Sequence, residues 1–430
     1  MKRVLLLLPT TGYRNDDFVA AAKALGVEIV AAADYCHRLA PSWGLPPIMA
    51  LHFDQPELAA DTLARELGGT LDGVLAVDDS GVELAALLAQ RLGLAGNPNP
   101  VDAVRRCRDK LAFRRLLREA GFLCPEFHHL PSDADPRSLV PELKFPVVVK
   151  ARRLSGSRGV IRADDCVALL HAVHQVRAIQ LRADRDAQAL GLIVEDFIPG
   201  CEHALEGCLE RGELTTLALF DKPDPLDGPY FEETLYVTPS RLPGSLQQRI
   251  RDEVARACRA AGLATGPVHA EMRVNERGVW LLEIAARSIG GLCARVLRHS
   301  LGMSLEELIL RQLVGEAVAP ARAVAGAGDE GGAGGARGAA GVMMIPIPRR
   351  GIYHGVEGLT AAQSVPGVTG VTITAQPGQI VAPPPDGVSY LGFIFARGGT
   401  PAEAEAALRS AHRCLHLDIR PQYSAVPATP

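Results

Sequence analysis

The segment VHAEMRVNERGVWLLEIAARSIGG, residues 268–291, is where this chain declares its chemistry. Val268, Ala270, Met272 and Val274 alternate as one strand, Asn275–Gly278 is a turn cluster, and Val279 to Ala285 is a returning strand. On such a hairpin Glu271 and Glu283 can stand across from each other on one face. Two carboxylates at that range repel unless a positive charge lies between them. Hard oxygen ligands without a Cys or His pair favour magnesium. Arg287 and the pair Gly290-Gly291 follow, so the segment reads as a metal–phosphate site with an anion-stabilising end. The competing reading makes both glutamates solvated residues of an exposed strand. Their neighbours Val279, Trp280, Leu281, Leu282 and Ile284 are too apolar for that face to be open.

Upstream, continuous apolar runs at Val4–Leu8, Val27–Ala32 and Gly73–Val77 alternate with helical spacing at Asp16–Leu25, Glu57–Leu67 and Val82–Leu92. This alternation predicts an open parallel sheet covered on both faces, over residues 1–107. Asp78 and Asp79 follow the third strand, where ligands of such sheets gather and where helix caps are equally common. A mixed α/β and α+β unit is expected over 108–316. Residues 317–341 are almost without large apolar side chains and read as a Gly/Ala-rich flexible linker. A small α+β lobe is expected over 342–421, followed by a loose tail, 422–430.

The 430 residues suffice for several structural units, and a net charge of -4 gives no reason to expect nucleic acid or an anionic membrane as partner. Nine scattered cysteines, an odd number without a C-x-x-C pair, fit buried thiols in a reducing compartment. The apolar run after Met1-Lys2-Arg3 is too short for a signal peptide, and a cytoplasmic location is expected.

Two further clusters carry chemistry. Phe145-Pro-Val-Val-Val-Lys150 ends a buried strand in a lysine, and Leu154-Ser-Gly-Ser-Arg-Gly-Val160 follows as a small-residue loop. Ser155, Gly156, Ser157 and Gly159 let backbone N–H groups approach an anion, so with Lys150 the loop reads as phosphate-binding, though it is neither a Walker A loop nor G-x-G-x-x-G. A plain turn is the alternative. Glu195-Asp196-Phe197-Ile198-Pro-Gly200 then breaks a strand into a turn that frees backbone groups to read an adenine edge, with Glu202 placed to accept ribose hydroxyls.

In this order, strand lysine, Ser/Gly loop, Glu-Asp-Phe-Ile-Pro-Gly hinge, then Glu271 and Glu283-x-x-x-Arg287, the chain resembles the ATP-grasp superfamily from about Arg108 to Val314. Pro346-Ile-Pro-Arg-Arg350 and Tyr390-Leu-Gly-Phe-Ile-Phe395 look like its L-amino-acid ligase and carnosine synthase branch. The resemblance implies an ATP-grasp fold and an ATP-dependent carboxylate–amine ligase working through an acyl phosphate on amino acids or a small peptide. It implies that Lys110 and Lys150 contact ATP phosphates, that Ser155–Gly159 is a mobile flap, that Glu195, Asp196, Phe197 and Ile198 frame adenine and that Glu202 meets the ribose. Glu271 and Glu283 would hold Mg2+, with Mn2+ as its substitute. Arg287 would face the acyl phosphate and oxyanion, and backbone N–H groups around Ser288, Gly290 and Gly291 a substrate carboxylate or phosphate. Lys222 is either a further cleft contact or a surface turn. Specificity is expected from Asp224–Ser240, with Tyr230, Phe231, Glu232, Glu233 and Tyr236 as candidates, and a homodimer is implied. The family pattern is Glu-x-Asn-x-Arg; here Ala285 replaces the Asn, which cannot coordinate. Two alternatives stand beside the ligase: an ATP-grasp carboxylase or phosphoribosyl-amine ligase, and a catalytically silent nucleotide-binding protein.

Overall fold

A computed structural model of the chain describes residues 1–9, 12–34, 48–94, 99–183, 189–316, 338–387 and 390–423. The N-terminal runs form β1 (Arg3–Leu8), β2 (Glu28–Ala33), β3 (Ile48–Ala50) and β4 (Gly73–Ala76), a parallel sheet in the order β3-β2-β1-β4. Helices cover both faces, which is why Val4 to Leu7 are fully buried. β1 and β4 are neighbours, so the loops leaving their C-terminal ends, with Arg14 on one and Asp79 on the other, open at the same edge.

Next come β5 (Phe127–Leu130), β6 (Val147–Ala151), β7 (Val160–Ala163) and β8 (Leu192–Asp196), an antiparallel sheet ordered β5-β8-β6-β7 and backed by the helix Cys166–Ala183. The helix Lys110–Glu119 starts on Asp109, whose side chain accepts from the N–H groups of Leu111 and Ala112. Asp109 also pairs with Arg152, and Lys110 N–H donates to the Arg152 carbonyl at 3.0 Å. That clamp brings Lys110 to the end of the strand carrying Lys150, forty positions later.

The largest sheet contains β9 (Cys201–Glu210), β10 (Glu213–Lys222), β11 (Leu235–Thr238), β12 (Gly266–Asn275) and β13 (Gly278–Ala285). It does not stop there. β14 (Ala339–Ile345) pairs with β11, and after β15 (Gly351–Glu357), β16 (Val368–Ile373) and β17 (Ile380–Val381), β18 (Gly392–Gly398) joins β14. The order is β13-β12-β9-β10-β11-β14-β18-β16, while β15, β17 and β19 (His416–Arg420) make a small outer sheet. The small α+β lobe expected over 342–421 keeps a core and an outer sheet of its own, and its strands β14, β18 and β16 also continue the central sheet, because the edge of β11 is left unpaired until residues 339–345 fill it. The expected linker over 317–341 lies outside the described residues up to 337. Its last three residues, Ala339, Ala340 and Gly341, are strand, since small side chains suit the tight packing against Val237 and Leu408.

Candidate active site

A cavity of about 400 Å³ opens where the three larger sheets meet. On its hinge side, Arg114 donates to Glu195 through Nε (2.7 Å) and Nη2 (3.0 Å), and Lys150 Nζ lies 2.6 Å from Glu195 Oε1. Burial alone would raise the Glu195 pKa, but Arg114 and Lys150 outweigh it and hold the carboxyl at about 2. Its side chain thus anchors two cations rather than reading a base edge. The hinge also keeps fewer backbone groups free than its Pro-Gly turn implies. Asp196 N–H donates to Glu126 O, Phe197 N–H to Pro146 O, and the carbonyls of Ile198 and Pro199 accept from Arg273 and Asn275. Asp196, Phe197 and Ile198 still line the cavity. Gly200 closes the hinge at φ 123°, with a Cβ there falling 2.3 Å from the Val274 carbonyl, so only glycine fits.

The loop over this side presents Ser155, Gly156, Ser157 and Arg158 to the cavity. Gly159 turns away, its carbonyl accepting from Ala151 N–H (2.8 Å), and faces a side pocket shared with Tyr230 and Glu232. Lys110 Nζ donates to Leu154 O (2.5 Å) and stands 3.7 Å from Glu283 Oε2.

Glu271 and Glu283 are direct register partners across β12 and β13, with a bulge immediately after Glu271. Three carboxylates, Glu202, Glu233 and Glu271, bring ligand atoms within 4.8 Å of one another. Their centre is filled from within the chain: Lys222 Nζ donates to Glu202 (2.8 Å), Glu233 (2.8 Å) and Glu271 (2.9 Å). Burial would lower the Lys222 pKa, yet these neighbours push it well above its ordinary value. Lys222 is thus a buried residue beneath the carboxylates of the cavity and not a surface turn. Glu202, besides Lys222, accepts from Arg273 (3.2 Å). Glu233 is raised to about 7 by burial and by the charge of Glu271, and it accepts from Tyr236 Oη at 2.7 Å. His269 bridges Glu206 and Glu271; burial opposes its protonation, but the two hydrogen bonds lift it to about 9. Glu271 would be raised by burial and is instead held well below the carboxylate range by Lys222 and His269.

At the far end, Arg287 binds Asp79 through Nε (2.9 Å) and Nη2 (2.8 Å) and donates through Nη1 to Ser288 O (3.1 Å). Ser288 is buried, its Oγ accepting from Arg14 Nη2 (2.5 Å). Ile289 N–H lies 3.0 Å from Glu206 Oε2, so this amide of the expected anion-binding loop is already taken. Gly290 and Gly291 line the cavity, and Gly291, at φ 59°, packs against Phe393 at a distance that leaves little room for a side chain.

Lys110, Lys150, Glu195, Glu202, Glu233, Glu271, Glu283 and Arg287 line this cavity, Lys222 lies beneath three of its carboxylates, and Glu232 faces the side pocket instead. Arg14, Asp79, Arg114, Glu206 and His269 were not singled out as site residues. Arg114 carried a signal: it sits three residues after Leu111 and three before Leu117, on the apolar stripe of its helix. Glu206 and His269 are buried on strands that already carry several charged residues, so nothing in the local pattern sets them apart.

Residues 143–296 match the model of the ATP-grasp domain, and 343–420 that of L-amino acid ligase C-terminal domain 2. The D-alanine--D-alanine ligase of Desulforudis audaxviator is 30% identical over 54% of this chain and 81% of its own. Carnosine synthase 1 of Gallus gallus is 30% identical over 54% of this chain, which spans only 26% of that protein. The crystal structure of L-amino acid ligase from Bacillus licheniformis superposes with a TM-score of 0.83 at 25% identity, covering 98% of this chain and 99% of that one.

Proposed function

The chain belongs to the ATP-grasp family, and on that premise we propose that it is an ATP-dependent ligase joining the carboxylate of one amino acid or small peptide to the amine of another. The observation that carries this is the register pairing of Glu271 with Glu283, flanked by Lys110 on one side and continuing into Arg287 on the other. The match of residues 343–420 to an L-amino acid ligase module supports this reading over a carboxylase or a phosphoribosyl-amine ligase.

The donor set fits a divalent hard cation. Glu271 and Glu283 offer carboxylate oxygens only, and both ring nitrogens of the adjacent His269 are engaged by Glu206 and Glu271, so it offers no lone pair to a softer metal. Glu271 and Glu283 would hold magnesium, which when bound neutralises charge on phosphate oxygens. Lys110 and Lys150 stand at the flap and cover the phosphates, while Lys222, whose three N–H bonds go to Glu202, Glu233 and Glu271, holds Glu271 in place from beneath. Phe197 and Ile198 give an apolar seat to the base. A substrate carboxylate oxygen attacks the γ-phosphorus of ATP; the bond to the β–γ bridging oxygen breaks and ADP leaves. The amine nitrogen then attacks the acyl carbon, phosphate departs, and Arg287 stabilises the oxyanion in between. Residues 155–158 exclude water that would otherwise hydrolyse the acyl phosphate. A homodimer is part of the proposal, to be read by light scattering.

Ala285, buried where the family carries a coordinating Asn, favours a second reading as a silent nucleotide-binding protein. One experiment separates them: ADP and phosphate release with ATP and Mg2+ against pooled amino acids, with mass spectrometry of the products. Amino-acid-dependent ADP and a condensed product establish the ligase. Calorimetric binding of ATP without release across the pool favours the silent protein or an acid outside the pool.

A further inference from the structure

Asp79 lies in the N-terminal unit, more than two hundred positions before the arginine it binds. It leaves the C-terminal end of β4, next to the loop that carries Arg14 from the end of β1, and Arg14 donates to Val77 O (3.3 Å), tying the two loops together. From this shared edge two contacts reach across the cavity: Asp79 to Arg287, and Arg14 to the hydroxyl and carbonyl of Ser288. The arginine side chain is only 11% exposed and Asp79 22%, so the pair is poorly screened. A guanidinium has five N–H donors in a rigid plane. Asp79 and the Ser288 carbonyl engage all three nitrogens, fixing that plane while leaving a second hydrogen on each terminal nitrogen for a ligand. The short side chain of Ala285 matters as well: Asp79, Glu283 and Ala285 line one small cavity, so a bulkier residue at 285 would compete with Asp79 for that space. Burial disfavours the Asp79 anion, but Arg287, and behind it Arg108 and Lys110, keep it ionised.

We infer that Asp79 is a positioning residue for Arg287: the N-terminal unit sets the orientation of the arginine that faces the reacting acyl group. This rests on the ligase reading for its kinetic consequence, but the pairing itself can be tested without turnover. Asp79 touches no reacting atom, so its effect must pass through Arg287. Asp79→Ala is expected to lower kcat about 100-fold, the scale of a misplacement near 1 Å, while the calorimetric affinity for ATP stays unchanged. Asp79→Asn, which keeps an acceptor oxygen but not the charge, should recover part of the loss. Asp79→Ala in an Arg287→Ala background should cost nothing further. Equal, multiplying losses in the two single variants and their double would overturn the inference, as would a changed ATP affinity with unchanged kcat. The second readout is the side-chain Nε–H resonance of Arg287 in arginine-labelled protein, assigned by its loss in Arg287→Ala. It should exchange slowly with solvent in the wild type and rapidly in Asp79→Ala; unaltered exchange refutes the pairing. A wild type without amino-acid-dependent ADP release would defeat the ligase reading, and the exchange measurement would still decide the role of Asp79.

Discussion

Replacing Glu195 with Gln removes the one carboxylate that serves both Arg114 and Lys150 in a buried pocket. The size of the effect follows from the proton affinity. Glu195 falls from an ordinary 4.5 to about 2, and at about 1.4 kcal/mol per tenfold change in affinity the folded state favours its anion by about 3 kcal/mol. Breaking a buried ion pair costs about 3–5 kcal/mol, the same range. The larger share belongs to Arg114. Lys150 is itself held below its ordinary value, by burial first, and Arg114 beside it partly offsets what Glu195 returns. Because the folded-state pKa is depressed, this stabilisation is complete above pH 4.5 and drains away as pH falls toward 2. Urea unfolding followed by circular dichroism should therefore separate wild type from Glu195→Gln by about 3 kcal/mol at pH 7. The gap should narrow steadily below pH 4.5. A difference under about 1 kcal/mol at pH 7, the scale of exposed pairs, or one that does not shrink in acid, would refute the reasoning.

Three more outcomes follow from the geometry. Glu283→Ala should abolish ATP turnover with circular dichroism unchanged, since the side chain is partly exposed and its nearest cation is 3.7 Å away; unaltered ADP release would sink its assignment as a metal ligand. His269, raised from 6.5 to about 9, contributes stability that is full below pH 6.5 and lost as pH climbs through 9, so the urea midpoint of the wild type should approach that of His269→Gln over that window. Gly200→Ala should cost about 1–3 kcal/mol in urea titrations, because the left-handed backbone is strained for any other residue and the Val274 carbonyl occupies the space.

What could be read from the sequence was whatever is local. The Glu271–Glu283 opposition is a property of one hairpin, so alternation and a turn cluster were enough to predict it. The buried parallel strands β1, β2 and β4 announce themselves as continuous apolar runs. The strands that escaped, such as β5, β7, β11 and β19, are four or five residues long, and all but β11 have polar or small residues at half of their positions or more, which leaves too little periodicity to detect. Lys222 illustrates the other limit. Its three carboxylates come from β9, from the loop before β11 and from β12, so nothing within its own neighbourhood distinguishes it from a turn lysine. Asp79 is similar: its position past a strand end was visible, but its partner lies 208 residues away. The joining of the C-terminal lobe to the central sheet was hidden for the same reason, since the pairing of β11 with β14 spans a hundred residues.

That unbroken sheet has a consequence for how new specificities can arise. Met344 on β14 and Tyr390 beside β18 form part of the cavity wall, and Phe393 supports Gly291 from behind, while Glu202, Glu271 and Glu283 stand on β9, β12 and β13 of the same sheet. A recombination that exchanged residues 338–420 for those of a relative, keeping β15 with its partner β19 and β18 with the helix Pro401–Arg413, would remodel the far wall and leave Lys150, Glu271 and Glu283 untouched. The seam would run along one hydrogen-bonded edge, β11 against β14, whose main-chain register does not depend on which side chains it carries. The cavity wall from β14 and β18 and the carboxylates of β9, β12 and β13 are thus inherited as strands of one sheet, able to diverge at different speeds.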